Sequence, residues 1–234
     1  MKALIFDVDG TLAETEELHR AAFNTAFAGA GLPWHWDRAT YGRLLTTTGG
    51  KERIRRHADE TGTPGIDARA LHADKTRAFV GLMGAGGMSL RPGIGALITG
   101  ARAQGLSLAV ATTTSPENVE ALSQSLFGRG AGRVFDVIAA GDMVAAKKPA
   151  PDVYLLALRQ LGLPARDCLA FEDSANGVRA AAAAGLRVVL SRGVYTRDEA
   201  DAGATLEVGC FADLGGLAGL RNRLLAAPRR VMVP

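Results

Sequence analysis

The second half of the chain repeatedly places a short apolar run before a stretch with helical periodicity. Together with the N-terminus, the apolar runs predict strands at residues 2–5, 106–111, 137–140, 168–171 and 187–190. The stretches between them predict helices at residues 116–127, 151–161 and 174–184, and one more that ends at residue 104. Strands separated by helices of this length form βαβ units, so we predict a doubly wound, Rossmann-like α/β core with a parallel sheet.

The segment from residue 15 to residue 87 interrupts this alternation directly after the first strand. It predicts only helices, at residues 14–30, 37–45, 51–60 and 67–83. We therefore interpret residues 15–87 as an all-helical cap domain inserted into a core formed by residues 1–14 and 88–228, with hinges at about 13–16 and 84–87. A closing helix is predicted at residues 213–226, and residues 229–234 form a tail with no predicted role.

Two aspartates stand at the end of the first predicted strand, in the stretch Phe6-Asp7-Val8-Asp9-Gly10-Thr11. Side chains two residues apart in an extended chain project to the same side, so Asp7 and Asp9 can face one ligand. Their charges would repel each other without a cation, and an oxygen-lined hollow of this kind suits Mg²⁺. The alternative is a strand end closed by Asx turns, which Asp and Gly favour without any chemistry.

Polar residues also follow the other predicted strands, and ligands of an open α/β sheet bind beyond the carboxyl ends of its strands. Each of these polar residues also has an explanation that involves no chemistry: it can cap a helix, complement the dipole of the following helix, or be a solvated lysine. Carboxylates, hydroxyls and a cation at four neighbouring strand ends together predict a site for Mg²⁺ and a phosphoryl group. The candidates are Asp7, Asp9, Thr112, Thr113, Lys148, Glu172 and Asp173.

Composition narrows the class of partner. With 47% hydrophobic and 22% charged residues the chain is an ordinary globular protein, and its net charge of +3 comes without a basic block that would suggest nucleic acid. Two cysteines give no disulfide framework, and no run approaches membrane-spanning length. We expect a cytoplasmic monomer that acts on small anions and binds neither nucleic acid nor membrane.

The predicted cap contains a candidate site for a second anion. Gly49 and Gly50 precede a basic helix and can expose backbone N–H groups, and Lys51 and Arg55, at positions i and i+4, share one face. A solvated basic helix after a glycine turn is the alternative. Further candidates for contacts with substrate hydroxyls or phosphate are Glu17, Tyr41 and Arg77. We interpret His35, His57 and His72 as structural.

The order of the strand-end motifs resembles that of the haloacid dehalogenase superfamily of phosphatases and mutases. The resemblance rests on Asp7 to Thr11, Thr112, Lys148 in Lys-Pro-Ala-Pro-Asp, and Glu172-Asp173-Ser174. More narrowly, the stretches 46–53, 111–115 and 141–144 look like those of CbbY-type sugar bisphosphate phosphatases. In sugar phosphomutases of the superfamily a histidine placed like His19 engages the acid/base aspartate, although His19 is equally well explained as a polar residue of the first cap helix.

This resemblance implies a Mg²⁺-dependent phosphatase that forms an aspartyl phosphate on Asp7. It implies Mg²⁺ ligands from Asp7, the Asp9 carbonyl and Asp173, with Glu172 acting through water, and proton transfers by Asp9. It also suggests xylulose 1,5-bisphosphate, a by-product that inhibits rubisco, as the substrate. The residues alone indicate a small substrate with two anionic ends. The alternatives are a β-phosphoglucomutase-like or phosphoglycolate phosphatase-like enzyme and, from another class, a signalling receiver module.

Overall fold

The computed structural model describes residues 1–84 and 86–226, and within them the chain forms one parallel sheet. Its strand order is β3-β2-β1-β4-β5-β6, and every neighbouring pair is parallel. The strands are β1 (Ala3–Phe6), β2 (Ser107–Thr112), β3 (Val137–Ala140), β4 (Cys168–Glu172), β5 (Arg187–Leu190) and β6 (Leu206–Glu207). The predicted doubly wound α/β fold is confirmed.

Helices connect the first five of these strands in turn, and they begin and end close to the residues that the sequence indicates. Ser115 and Ser174 cap two of them by accepting the N–H groups of Asn118 and Gly177. The helices are α1 (Glu16–Gly29), α2 (Arg38–Leu44), α3 (Gly50–Glu60), α4 (Ala68–Gly84), α5 (Ile94–Ala103), α6 (Pro116–Phe127), α7 (Asp152–Leu161), α8 (Ala175–Ala183) and α9 (Gly216–Ala226).

The sheet is buried on both faces because helices cover each of them. Side chains of β1 alternate between two hydrophobic clusters: Leu4 and Phe6 face α5, α6 and α9, whereas Ala3 and Ile5 face α7 and α8. Alternation of this kind in a strand without polar positions is typical of a central parallel strand. The central position of β1 brings Asp7, the residue that follows it, between the ends of β2 and β4.

Helices α1 to α4 occupy the segment interpreted as the cap, and they have a hydrophobic cluster of their own. This cluster is rich in aromatic rings, among them Phe23, Phe27, Trp34, Trp36 and Tyr41. Helices α1 and α4 also place Ala22, Phe79 and Met83 against the core cluster. A separate apolar cluster supports the division into cap and core, which remains our interpretation.

The structure differs from the prediction at two places late in the chain. The two-residue strand β6 was not predicted, because so short a run carries no detectable alternation. The closing helix was predicted to start at Asp213, but Phe211–Leu214 form a 3₁₀ turn and α9 starts at Gly216. Gly215 and Gly216 both have a positive φ, which ends the turn before the helix begins.

Parts of two predictions lie outside the described residues. These are the middle of the second hinge, at Ala85, and the end of the core together with the tail, at residues 227–234. Among residues 1–84 and 86–226, no helix combines the length and the apolar character that crossing a membrane requires. Cys168 and Cys210 are both free thiols.

Candidate active site

The carboxyl ends of β1, β2 and β4 bring the predicted strand-end residues together. Asp7 follows β1 directly, Thr112 ends β2, and Glu172 ends β4. The turn after Asp9 depends on Gly10, whose φ is +79° and at which a Cβ would lie 2.3 Å from Oδ2 of Asp173. Glycine is therefore required there both for the backbone conformation and for the close approach of Asp173.

Lys148 lies at the centre of the buried charges. Its Nζ donates to Oδ1 of Asp7 and to Oε1 of Glu172, each at 2.6 Å, and Tyr154 donates its hydroxyl to the same Oε1. All four side chains are buried. Burial alone would lower the pKa of Lys148, but the charges of Asp7 and Glu172 raise it above its usual value, so the ammonium remains charged.

Three carboxylates form a cluster whose negative charge is not neutralised by the single positive charge of Lys148. Oxygen atoms of Asp7, Glu172 and Asp173 lie within 4.8 Å of one another. Burial, opposed by Lys148, raises the pKa of Asp7 to about 7, and burial together with the charges of Asp7 and Glu172 raises the pKa of Asp173 well above its usual value. Oε2 of Glu172 is buried without a hydrogen-bond partner in the described part of the chain. These oxygens fit a hard divalent cation such as Mg²⁺.

The raised pKa of Asp7 predicts a pH-dependent effect of added Mg²⁺ on the stability of the protein. Asp7 has an ordinary pKa of 3.8 and a folded-state pKa of about 7, so in metal-free protein its contribution to the free energy of unfolding falls as the pH rises between these values. Mg²⁺ should remove that penalty, whereas protons compete with it at low pH. We therefore expect Mg²⁺ to raise the melting temperature more at pH 8 than at pH 5.

The measurement is thermal unfolding in EDTA and in saturating MgCl₂ at the two pH values. Asp173→Asn should diminish the Mg²⁺-dependent shift at pH 8, and Asp74→Asn on the exposed face of α4 serves as the matched control. Equal shifts at pH 5 and pH 8 in the native chain would contradict this assignment of the cluster.

The side chain of Asp9 is held apart from this cluster. Its Oδ1 accepts the hydroxyl of Thr15 at 2.5 Å and lies 2.9 Å from Nε2 of His19, whose Nδ1 is 2.6 Å from Nζ of Lys75. Burial favours neutral Asp9, but His19 and Thr15 lower its pKa to about 2. Burial and the charge of Lys75 lower the pKa of His19, so a neutral imidazole donates to ionised Asp9.

A cleft between the strand ends and helices α1, α3 and α4 is lined by residues from both of these groups. It encloses about 850 Å³ including the part open to solvent, which is within the size range of small-molecule sites. Its core side is lined by Asp7, Asp9, Thr112, Thr113, Thr114, Lys148 and Asp173. Its cap side is lined by Glu16, His19, Gly49, Gly50, Arg53, His72 and Lys75. Polar groups therefore line the cleft on both its core side and its cap side.

The two glycines predicted to bind an anion do face the cleft. Gly49 is the N-cap of α3 with a φ of +98°, and no side chain caps the helix there. A Cβ on Gly50 would lie 2.5 Å from the ring of His72, so a larger residue would displace that ring. The N-terminus of α3, with its backbone N–H groups and the positive end of its dipole, is thus directed at the cleft.

The structure does not bring the two selected basic residues of α3 into the cleft. Lys51 pairs with Asp142 at 2.6 Å, and Arg55 is exposed beside Glu52 at 3.8 Å. Arg53 lines the cleft instead, and it donates to the Thr47 carbonyl and to the Tyr41 hydroxyl. The prediction paired residues i and i+4 without fixing the helix phase. Arg53 follows Gly49 by four residues and Gly50 by three. The spacing therefore places Arg53 on the same face of α3 as the two glycines.

Three further candidates also lie outside the cleft lining. Glu17 contacts Arg20, Arg38 and Tyr195, whereas its neighbour Glu16 lines the cleft. Tyr41 is fully buried and donates to Glu16 at 2.5 Å, so it supports the lining from behind. Arg77 is exposed and pairs with Asp74. Adjacent helical positions differ by about 100° in direction, which separates Glu16 from Glu17.

Besides Arg53 and Glu16, two further cap residues in the cleft were not selected from the sequence. Lys75 is buried over the rings of Phe23 and Phe79, and His72, interpreted as structural, precedes it by three residues on the same face of α4. Lys75 is a lone charge in the apolar row Leu71, Lys75, Phe79 and Met83. A charged residue at a buried helical position often has a function. The sequence contains this signal, since Lys75 is the one charged residue in that apolar row.

Comparison with known proteins identifies the family of the chain. The sequence profile of haloacid dehalogenase-like hydrolases matches residues 1–185. The chain therefore belongs to the haloacid dehalogenase-like hydrolases, and it is a phosphatase of that family. Within the family it is similar to Protein CbbY of Cereibacter sphaeroides, with 58% identity over 94% of this chain and 96% of the relative.

Solved structures of CbbY from Rhodobacter sphaeroides have the same fold. The structure in complex with phosphate matches with a TM-score of 0.90 and 56% identity, covering 94% of this chain and 99% of that one. An aspartate-to-asparagine variant of CbbY in complex with xylulose 1,5-bisphosphate matches with the same TM-score, identity and coverage.

Proposed function

We propose that this protein is a Mg²⁺-dependent phosphatase that hydrolyses a small sugar bisphosphate, with xylulose 1,5-bisphosphate as its substrate. The observation that carries the proposal is a single cleft with anion-binding groups at both ends. Lys148 and Thr112 stand at the core end, and the N-terminus of α3 with Arg53 stands at the cap end. The similarity to CbbY, which has been crystallised with xylulose 1,5-bisphosphate, supports the choice of sugar.

In this proposal Asp7 is the nucleophile. One of its carboxylate oxygens bonds to phosphorus as the bond between phosphorus and the sugar oxygen breaks, leaving an aspartyl phosphate and an alcohol. Mg²⁺ held by Asp7, Glu172 and Asp173 would neutralise charge on the transferring group. Lys148, 2.6 Å from Asp7, adds a fixed positive charge, and the Thr112 hydroxyl provides a donor.

Asp9 carries the proton transfers. It protonates the departing sugar oxygen, and in the second step it removes a proton from the water that attacks the aspartyl phosphate, restoring Asp7 and releasing phosphate. Its contacts to Thr15 and His19 keep the carboxylate ionised in the substrate-free protein. Asp9 therefore takes up a proton from solvent before the first step, transfers it to the departing sugar oxygen, and regains one from the attacking water in the second step.

Arg53 should determine the preference for a bisphosphate. Losing a charge-assisted hydrogen bond to a phosphate costs about 1.5–3 kcal/mol, so Arg53→Met should lower kcat/KM for xylulose 1,5-bisphosphate by ~10- to 100-fold. Hydrolysis of a monophosphate, which lacks the distal group, should change by less than ~3-fold. Arg55→Met, on the same helix but exposed, is the matched control and should leave both values near those of the native chain.

Steady-state phosphate release with both substrates provides these values. Equal losses for the bisphosphate and the monophosphate would contradict a distal phosphate at Arg53. A larger loss in Arg55→Met than in Arg53→Met would instead favour the face of α3 selected from the sequence.

A sugar phosphomutase is the second candidate, because His19 lies 2.9 Å from Asp9 as the resemblance to mutases implies. The two functions differ in product: a mutase moves the phosphate to another carbon, and a phosphatase releases it. The cytoplasmic location and the monomeric state remain predictions from the sequence.

A further inference from the structure

The loop between β5 and β6 contributes to the site without belonging to any motif that the sequence provides. Its first residues are fixed by Arg91, which donates to the carbonyls of Ser191 at 2.7 Å and Arg192 at 2.8 Å. The same guanidinium also donates to the carbonyl of Gly10, in the turn after Asp9. The start of the loop and the turn that carries the acid/base residue are therefore tied to one side chain.

Thr196 of this loop holds Asp173. Its Oγ1 accepts the N–H of Gly193 at 2.8 Å, and it lies 2.7 Å from the carbonyl oxygen of Asp173 and 3.3 Å from Oδ2. Because the Gly193 amide occupies an acceptor position of the hydroxyl, the single hydroxyl proton is directed towards Asp173, where the carbonyl oxygen is the nearer acceptor. The contact is buried, since Thr196 is only 8% exposed.

Gly193 lets the loop come this close. A Cβ at residue 193 would lie 2.9 Å from Oδ2 of Asp173, nearer than van der Waals contact allows. The φ angle of Gly193 is not positive, so alanine there would keep an allowed backbone and would act only through its methyl group. Oδ2 of Asp173 is thus confined by Gly193 on one side and by Thr196 on the other.

Tyr195, the residue before Thr196, contacts the cap. Its hydroxyl donates to Glu17 of α1, and its ring packs edge-on against the ring of Tyr41 in α2, with centroids 5.5 Å apart. Adjacent residues of one short loop therefore contact the cap and a carboxylate of the metal cluster.

We infer that this loop couples the docked cap to the metal site, with Thr196 as a positioning residue for Asp173 and Tyr195 as the contact that holds Thr196 in place. The inference rests on the Mg²⁺ site of the proposed function. Coupling between two sites is reciprocal, so cap docking should tighten Mg²⁺ binding and Mg²⁺ should favour cap docking. In this way the loop would complete the metal site when the cap covers the substrate.

Calorimetric titration of the substrate-free protein with Mg²⁺ tests the inference without relying on activity. Thr196→Val, which keeps the shape but removes the hydroxyl, should weaken Mg²⁺ binding by ~10-fold or more, as loss of a partner behind a metal ligand does. Thr196→Ser restores the hydroxyl and should recover affinity to within ~3-fold of the native value. Tyr195→Phe loses the bond to Glu17 and should weaken binding by ~5-fold.

Val194→Ala is the matched control, because its side chain is 61% exposed on the same loop. It should bind Mg²⁺ like the native chain. Gly193→Ala is a second route to the same test: it retains Thr196 but crowds Oδ2 of Asp173, and it should also weaken binding.

Native affinity in Thr196→Val and Gly193→Ala would overturn the positioning role, and native affinity in Tyr195→Phe would overturn the coupling to the cap. Failure of the native chain itself to bind Mg²⁺ would instead contradict the cofactor of the proposed function. The two failures are therefore distinguishable.

Discussion

Replacing Asp7 with Asn is expected to lower phosphate release by at least ~10⁴-fold, because the amide cannot form the aspartyl phosphate and loss of a covalent nucleophile costs up to ~10⁶ in other enzymes. The fold should be retained. Lys148 keeps its 2.6 Å contact with Glu172, so no buried cation is left without a partner. Removing one of three clustered carboxylate charges should also relieve repulsion in the metal-free protein.

Release of inorganic phosphate from xylulose 1,5-bisphosphate in MgCl₂, together with thermal unfolding in EDTA, measures both expectations. Asp74→Asn makes the same chemical change on the exposed face of α4 and should retain full activity. Near-native turnover by Asp7→Asn would eliminate the covalent mechanism. A large fall in melting temperature would show instead that the Asp7 carboxylate is needed for stability.

Asp9→Asn is expected to lower kcat for the sugar bisphosphate by ~10²- to 10⁴-fold, the usual contribution of a general acid and base. KM should change much less, since Thr15 and His19 hold the Asp9 side chain apart from the carboxylate cluster. The second step, hydrolysis of the aspartyl phosphate, should become slower with any substrate, because the attacking water loses its base. The first step, formation of the aspartyl phosphate, should become slower only when the leaving group needs a proton.

An aryl phosphate separates these two steps. Its phenolate leaves without protonation, so Asp9→Asn should give a burst of p-nitrophenolate from p-nitrophenyl phosphate, followed by slow hydrolysis of the aspartyl phosphate. Rapid-mixing absorbance measurements would record the burst. Absence of a burst, with equal losses for the sugar and aryl substrates, would assign Asp9 to a different role.

The core of the site was predictable because parallel strands end at one edge of a sheet. Lys148 lies 141 residues from Asp7 in the chain, yet both were selected from their positions after strands, and the structure joins them at 2.6 Å. Tyr154 was not selected, although it donates to Glu172. It belongs to the apolar face of α7, where a tyrosine is indistinguishable from an ordinary core residue until its hydroxyl partner is known.

The cap was predictable as a set of helices but not in its contacts. Choosing Arg55 over Arg53, and Glu17 over Glu16, reflects the phase of a helix, which local spacing does not determine. The phase is set by what the helix packs against: Ile54 and Ala58 of α3 face the aromatic cluster of the cap. Thr196 and Tyr195 were unpredictable for a related reason, because their loop has no periodic pattern and gains its role only through tertiary contacts.

The most direct test of the proposed phosphatase activity is to incubate the protein with xylulose 1,5-bisphosphate and follow the reaction by ³¹P NMR, with Mg²⁺ and then with EDTA. We expect one equivalent of inorganic phosphate and one of xylulose monophosphate in Mg²⁺, little further hydrolysis, and no reaction in EDTA. Phosphate moved to another carbon without release would identify a mutase. Monophosphates hydrolysed as fast as the bisphosphate would contradict a cleft built for two anionic ends.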